Sequence, residues 1–166
     1  MGIAKEKKFG SIEQLRNSVE RNTRTFLQSV ANETRNEFFS ENEKYFSGYQ
    51  YLATLDRRSC LVCGELDGKI YEKIEDAPQL PQHYNCRCIL SPIVKGLEEI
   101  GAGLRASENG YVEDTVTFDE WLSEQSAEVQ KEVLGTTRYG MYQKTHKLGQ
   151  FVADGKMLTL EELRKK

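Results

Sequence analysis

No cysteine occurs outside residues 60–88 of this 166-residue chain, and those 29 residues hold all four. Proline is nearly as scarce, with three residues, Pro78, Pro81 and Pro92, in or just beyond the same stretch. Nowhere does an apolar run approach the roughly 20 residues that span a bilayer, and the opening MGIAKEKKFG has no apolar core for export, so a membrane partner is not expected. Glu6 stands where a myristoylation signal needs Ser or Thr. Charge of one sign is missing too: the net value is −3, and acidic and basic residues interleave, so general affinity for nucleic acid is not indicated. A chain made and kept in a reducing cytoplasm uses paired cysteines as metal ligands more often than as disulfides.

Three textures divide the chain. After a flexible N-terminus over 1–10, residues Ile12, Leu15, Val19, Phe26, Leu27, Val30 and Phe38 recur at the three-and-four spacing of an amphipathic helix, with Ser11 as its N-cap. Asn22, Thr23, Asn32 and Thr34 lower helix propensity, which predicts either one long helix or two with a break near Asn32. Arg21, Arg24 and Arg35 alternate with Glu20, Glu33 and Glu37 and read as a solvated face.

Between Tyr49 and Pro92 the pattern is β-like and punctuated by turns. YQYLATL and GKIYEKI read as short strands, with Asp67-Gly68 as a tight turn ahead of the second. CRCILSPIV reads as a strand that would point Cys86 and Cys88 to one face. Residues 96–116 are glycine-spaced and acidic and read as a linker. From 117 to 166 helix signals return: capping boxes at Thr117/Glu120 and Thr159/Glu162, an N-cap at Ser126, and Gly135 closing a short helix. Trp121, Leu134, Tyr139, Phe151 and Leu160 are expected to pack there as a separable helical segment. The fold class expected is α+β: N-terminal helices and a small zinc-stapled β region, together one domain over 11–95, and a C-terminal subdomain of short helices over 117–166.

Cys60-Leu-Val-Cys63 has the two-residue gap that lets two thiolates reach one ion, and His83, Cys86 and Cys88 follow after a spacer. Five candidates then compete for the four places of a tetrahedral zinc site. Free or redox-active thiols and a disulfide are the other readings. A thioredoxin-like dithiol needs a helix at the Cys-x-x-Cys, and Gly64 with Asp67-Gly68 argues against one. With no His-Glu-x-x-His or His-x-Glu, a bound zinc is expected to be structural. Arg87, set between two candidate ligands, is expected to hydrogen-bond carbonyls or offset thiolate charge.

TLDRRSCLVCGELDGKIY, a proline-bearing spacer and LPQHYNCRC together resemble the signature of the phage minor head proteins related to the Mu F protein and the SPP1 head morphogenesis protein. The shared pattern joins Asp56, Cys60, Cys63, Asp67-Gly68, Pro81, His83, Cys86, Arg87 and Cys88. Tyr51 replaces a frequent Trp, and Gln82 replaces the second proline of a pair. The tail from Thr117, with its Trp-Leu, Gln-x-x-x-Leu-Gly and final Leu-Thr-Leu-x-Glu-Leu, is similar to the tail of many members. Relatives are often longer on the N-terminal side, which leaves open where a portal-binding segment lies.

The resemblance implies a virion component, made in the host cytoplasm and acting in head assembly, with the portal, capsid or scaffold proteins as partners. It implies no small-molecule substrate and no settled chemistry, and no glycine-rich phosphate loop is present for an ADP-ribosyltransferase-like activity. A zinc-dependent DNA-binding module is the alternative. That reading requires Arg57, Arg58, Lys69 and Arg87, with Lys144 and Lys147, to gather on one face.

Overall fold

A computed structural model describes residues 11–97 and 103–165. The expected flexible N-terminus, 1–10, lies outside the described residues, as do residues 98–102 of the expected linker. Helix α1 runs unbroken over Ile12–Glu41, opened by a reciprocal capping box between Ser11 and Gln14. The break near Asn32 does not occur. Thr25 and Thr34 return their hydroxyl hydrogen bonds to the carbonyls of Arg21 and Val30 one turn back, at 2.8 and 2.9 Å, so both sit inside the helix without opening it. Asn32 is buried and accepts from Arg35 at 3.1 Å.

Strand β1, Phe46–Leu52, is the centre of a three-stranded antiparallel sheet. Its neighbours are β2, Ile70–Tyr71, and β3, Ile89–Val94. Tyr49 and Tyr51, two residues apart on β1, turn the same way into the interior and are the most deeply buried aromatics of the sheet. Pro92 is tolerated because β3 is an edge strand. GKIYEKI yields only the two residues of β2, since Ile74–Asp76 closes into a 3-10 turn. Cys86 and Cys88 lie ahead of β3, in a loop where Asn85 has φ +59°, so strand alternation is not what brings them together.

Between β1 and β2 sits α2, Leu61–Leu66, a helix that Gly64 was expected to prevent. Gly64 is there for space. A Cβ at this position would stand 2.5 Å from Phe118 Cδ1 and 2.9 Å from Leu148 Cδ1, so the glycine lets the C-terminal part of the chain lie against the helix. The helix stops at Asp67, followed by Gly68 at φ +81°.

Residues 103–116 do not behave as a free linker. They form a hairpin of β4, Leu104–Ser107, and β5, Gly110–Glu113, whose turn is held to the body by Glu108 N–H donating to the Leu55 carbonyl at 2.8 Å. Arg105, from β4, reaches inward to Asp67.

Helices α3, Phe118–Glu124, α4, Ala127–Thr145, and α5, Leu160–Arg164, follow, with the capping boxes at Thr117/Glu120 and Thr159/Glu162 and the N-cap at Ser126 all formed. Gly135, at φ +74°, kinks α4, and the chain resumes as helix until His146 takes a left-handed conformation. A short ribbon of β6, Val152–Ala153, and β7, Lys156–Met157, precedes α5. Trp121, Leu134 and Phe151 are buried as expected, with Tyr139 against them and Leu163 in the place expected for Leu160. The same cluster takes in Leu55 and Leu61, so the C-terminal helices share a core with the β region instead of standing apart from it. Among the described residues no helix is long and apolar enough to cross a membrane.

Candidate metal centre

A second core cluster lies under the sheet and is built from Tyr51, Ala53, Leu80 and Leu90 together with three thiols, Cys63, Cys86 and Cys88. Cys60 is the N-cap of α2, its Sγ accepting from Cys63 N–H at 3.4 Å, so the helix start holds both sulfurs of the Cys-x-x-Cys on one side. From the other side comes the loop His83–Cys88. Its His83 Nε2 lies 3.2 Å from Cys60 Sγ and 3.3 Å from Cys63 Sγ. Ligands around a tetrahedral zinc, at about 2.0 and 2.3 Å from the metal, stand about 3.5 Å apart, which is close to this spacing.

Cys60, Cys63 and His83 form one group whose ligand atoms all fall within 4.8 Å of each other, and Cys63, Cys86 and Cys88 form another. Either group can hold a metal ion. Cys63 belongs to both, so the five side chains singled out by sequence converge around one sulfur. All four cysteines are free thiols.

His83 is oriented as a metal-ligating imidazole is. Its Nδ1 lies 2.8 Å from the Tyr84 carbonyl, a hydrogen bond that places the proton on Nδ1 and leaves the Nε2 lone pair facing the sulfurs. Burial works against protonation of the ring, but the Tyr84 carbonyl and the sulfurs of Cys60 and Cys86 outweigh it and raise the pKa.

The thiols titrate as a group short of positive charge. Cys60 is held down at about 5, chiefly by its hydrogen bond with Cys63, and Cys86 at about 2, by hydrogen bonds with Cys63 and Cys88. Cys63 is pushed up by its hydrogen bonds with Cys60, Cys86 and Cys88 and by burial. Cys88 is drawn down by Cys63, yet its contact with Cys86 and its burial drive it up to about 12. The four sulfurs thus push one another's pKa values in opposite directions because they are packed together in a buried site. A bound cation removes that conflict.

Around this cluster the backbone is fastened by a charge pair. Arg87 forks onto Asp56, Nη2 donating to Oδ1 at 2.8 Å and Nη1 to Oδ2. Asp56 also accepts from Arg58 N–H at 2.9 Å, so it fixes the turn that leads into Cys60. Burial of the Asp56 carboxyl favours its neutral form, but Arg87 overcomes this and holds it below the ordinary range. Arg87 therefore has a carboxylate as its hydrogen-bond partner, not the carbonyls expected, while the charges of Cys86 and Cys88 also raise its pKa, as the expected offset of thiolate charge requires. The pair ties the loop carrying Cys86 and Cys88 to the loop carrying Cys60.

Other contacts left no trace in the sequence. Gln28 of α1 donates to the Cys88 carbonyl at 3.1 Å, Thr25 Oγ1 accepts from Asn85 N–H at 3.0 Å, and the Tyr51 hydroxyl reaches Cys63 Sγ at 3.5 Å. Of the basic residues envisaged for DNA, Arg58 and Arg87 line one groove, but several of the set are paired with carboxylates. Arg57 is bound to Glu108 and Glu132 at 2.7 and 3.1 Å, Lys69 to Glu65 at 2.5 Å, and Arg87 to Asp56.

The family model described as phage Mu protein F-like matches residues 4–91. The chain belongs to this family. No curated protein and no solved structure matches it. The matched span of the Mu F-like chain contains α1, β1, α2, β2 and all five candidate ligands, and it ends inside β3. The hairpin and the C-terminal helices lie beyond it.

Proposed function

We propose that this Mu F-like chain is a minor head protein of a bacteriophage or prophage, working in head morphogenesis beside the portal or the inner capsid surface. In this reading one zinc ion serves only to hold the fold. The observation that carries it is the coincidence of the family match with the Cys/His cluster: the matched residues are those that build the site.

Zinc suits a donor set of thiolates and one imidazole nitrogen. Cys60, Cys63, His83 and Cys86 are its first-choice ligands. His83 lies against Cys60 and Cys63 and feels the Cys86 charge, whereas Cys88 is deeper, beside Tyr51. Cys88 then supports the site as a neutral thiol. Four protein ligands leave no position for substrate or an activated water, so the centre is non-catalytic. The ion would join the start of α2 to the His83–Cys88 loop, replacing apolar core where the sequence has little.

The DNA-binding alternative is weaker. An open groove of about 640 Å³ over the site is lined by Arg24, Arg58 and Arg87, but each has a carboxylate nearby: Glu20 at 3.6 Å for Arg24, and Asp56 for the other two. Such pairing leaves little free charge to displace counterions from DNA.

Deletion from its phage tests the role. Particles should become fewer, misassembled or poorly infectious while major capsid protein is still made, and tagged protein should capture the portal protein of the same gene cluster. Normal assembly and infectivity after deletion, or turnover of nucleic acid or NAD by the purified protein, contradicts the proposal.

A further inference from the structure

Helix α1 sits on its own domain with its polar side. Arg21 lies over the Tyr84 ring at 4.6 Å, Thr25 and Gln28 hydrogen-bond the His83–Cys88 loop, and Asn32 is buried, so the side facing the body is built from polar residues until Phe39. The opposite side is apolar. At 100° per residue Ile12, Leu15, Val19, Phe26 and Val30 fall within about 60° of one line along the helix. All five are exposed, Ile12 by 88% and Phe26 by 66%. Helices that serve only their own domain do the reverse.

The first turns make the point more sharply. Among the described residues, every position from Ile12 to Arg24 except Ser18 is exposed, with Arg21 over the Tyr84 ring as the contact to the body. Isolated helices shorter than about 12–15 residues are marginal in water, and most of their stability in proteins comes from packing an apolar face.

We propose that the apolar face of α1 pairs antiparallel with α1 of a second copy of this chain. Charge selects this partner and orientation. The stripe gives way to Glu33 and Glu37 toward its C-terminal end, while Arg16, an exposed side chain 3.9 Å from Glu20 on its own helix, borders it near the N-terminal end. An antiparallel register with Arg16 opposite Glu33 also sets Val19 opposite Val30 and Phe26 beside Thr23, with Leu15 opposite Thr34 and Ile12 opposite Glu37 toward the ends, whereas a parallel pair sets the glutamates against themselves. Each copy's body hangs on the far side of its helix and stays clear of the contact. The five side chains, each exposed by at least 44%, supply the apolar surface that the contact covers. The pairing is independent of the metal centre and of the portal.

Sedimentation of the full chain across about 1–100 μM tests it, a range in which a dimer of modest area dissociates. The expected result is a monomer–dimer equilibrium whose dissociation constant rises at least about tenfold (about 1.4 kcal/mol) in Val19→Glu and in Phe26→Glu. Metal content and circular dichroism of the mixed-state protein should stay close to wild type, because Val19 and Phe26 lie on the side of the helix away from the contacts that Thr25 and Gln28 make with the body. Arg16→Glu should weaken pairing, and Arg16→Glu with Glu33→Arg should restore it. A wild-type monomer throughout, a dimer indifferent to Phe26→Glu, or no restoration by the charge swap overturns the proposal. A monomer that instead captures the portal protein through Phe26 also overturns it and assigns the face to the portal.

Discussion

Asp67 and Arg105 face one another in the interior, Arg105 giving one hydrogen bond of 3.0 Å to each carboxylate oxygen. The Asp67 side chain is fully buried, and it also accepts from the backbone N–H of Ala53 at 2.6 Å and of Phe118 at 2.7 Å. Arg105 in turn donates to the carbonyls of Val116 and Ala53. One ion pair thus joins the end of β1, the end of α2, the hairpin and the start of α3. It connects the part of the chain that the family match covers to the part it does not.

Removing either partner should be costly, since it leaves the other charged and buried. Arg105→Ala and Asp67→Ala are each expected to lose about 3–5 kcal/mol in urea unfolding. In Arg105→Ala the hairpin should also become the first site of proteolysis, whereas in wild type it should be cut no faster than the sheet. A loss under about 1 kcal/mol places the pair outside the framework of the fold.

Gly64→Ala sets two effects against each other. Alanine is better in a helix by about 1 kcal/mol, but its methyl would meet Phe118 and Leu148, both fully buried, at 2.5 and 2.9 Å. Overpacking costs about 1–3 kcal/mol, so net destabilisation is expected. Denaturant titration showing a gain would mean that the C-terminal helices do not press on α2.

The Asp56–Arg87 pair has a pH signature. In wild type the Asp56 pKa is lowered from 3.8, so the pair's contribution to stability is present above that value and is lost as pH falls through the lowered one. In Arg87→Gln only the Arg58 N–H and guanidinium still oppose burial, and the pKa should rise relative to wild type. The advantage of wild type over the variant is then present above the unfolded value and shrinks as pH falls through the lowered pKa. Carboxyl NMR of Asp56 in both proteins checks this. An unchanged Asp56 in the variant contradicts it.

Substitution of the ligands should be graded. Cys63→Ser, which removes the sulfur common to both groups, is expected to abolish metal binding, as are Cys60→Ser and Cys86→Ser. His83→Ala should lower affinity by more than Cys88→Ser does. Full metal content in His83→Ala together with its loss in Cys88→Ser reverses the assignment.

Legibility in the sequence followed the range of the interactions. The caps at Ser11, Thr117, Ser126 and Thr159 act within three residues and could be read directly. The five metal candidates were readable because spacing and residue type carry the chemistry. Helix α2 was not, because Gly64 looks like a breaker until Phe118, distant in sequence, is seen to need its space. Residues 103–116 read as a linker because the partner that orders them, Asp67, looked like an ordinary turn residue. The periodicity of α1 was legible, but which way the helix faces was decided by Thr25 and Gln28 bonding to the Cys88 loop.

The most direct test of the account is elemental analysis of the full chain purified without chelator, combined with thiol titration before and after chelation. About one zinc per chain is expected, with the thiols protected until the metal is removed and the fold around α2 and the His83–Cys88 loop lost with it. Protein without metal, with all four thiols freely reactive and the same fold, would contradict it.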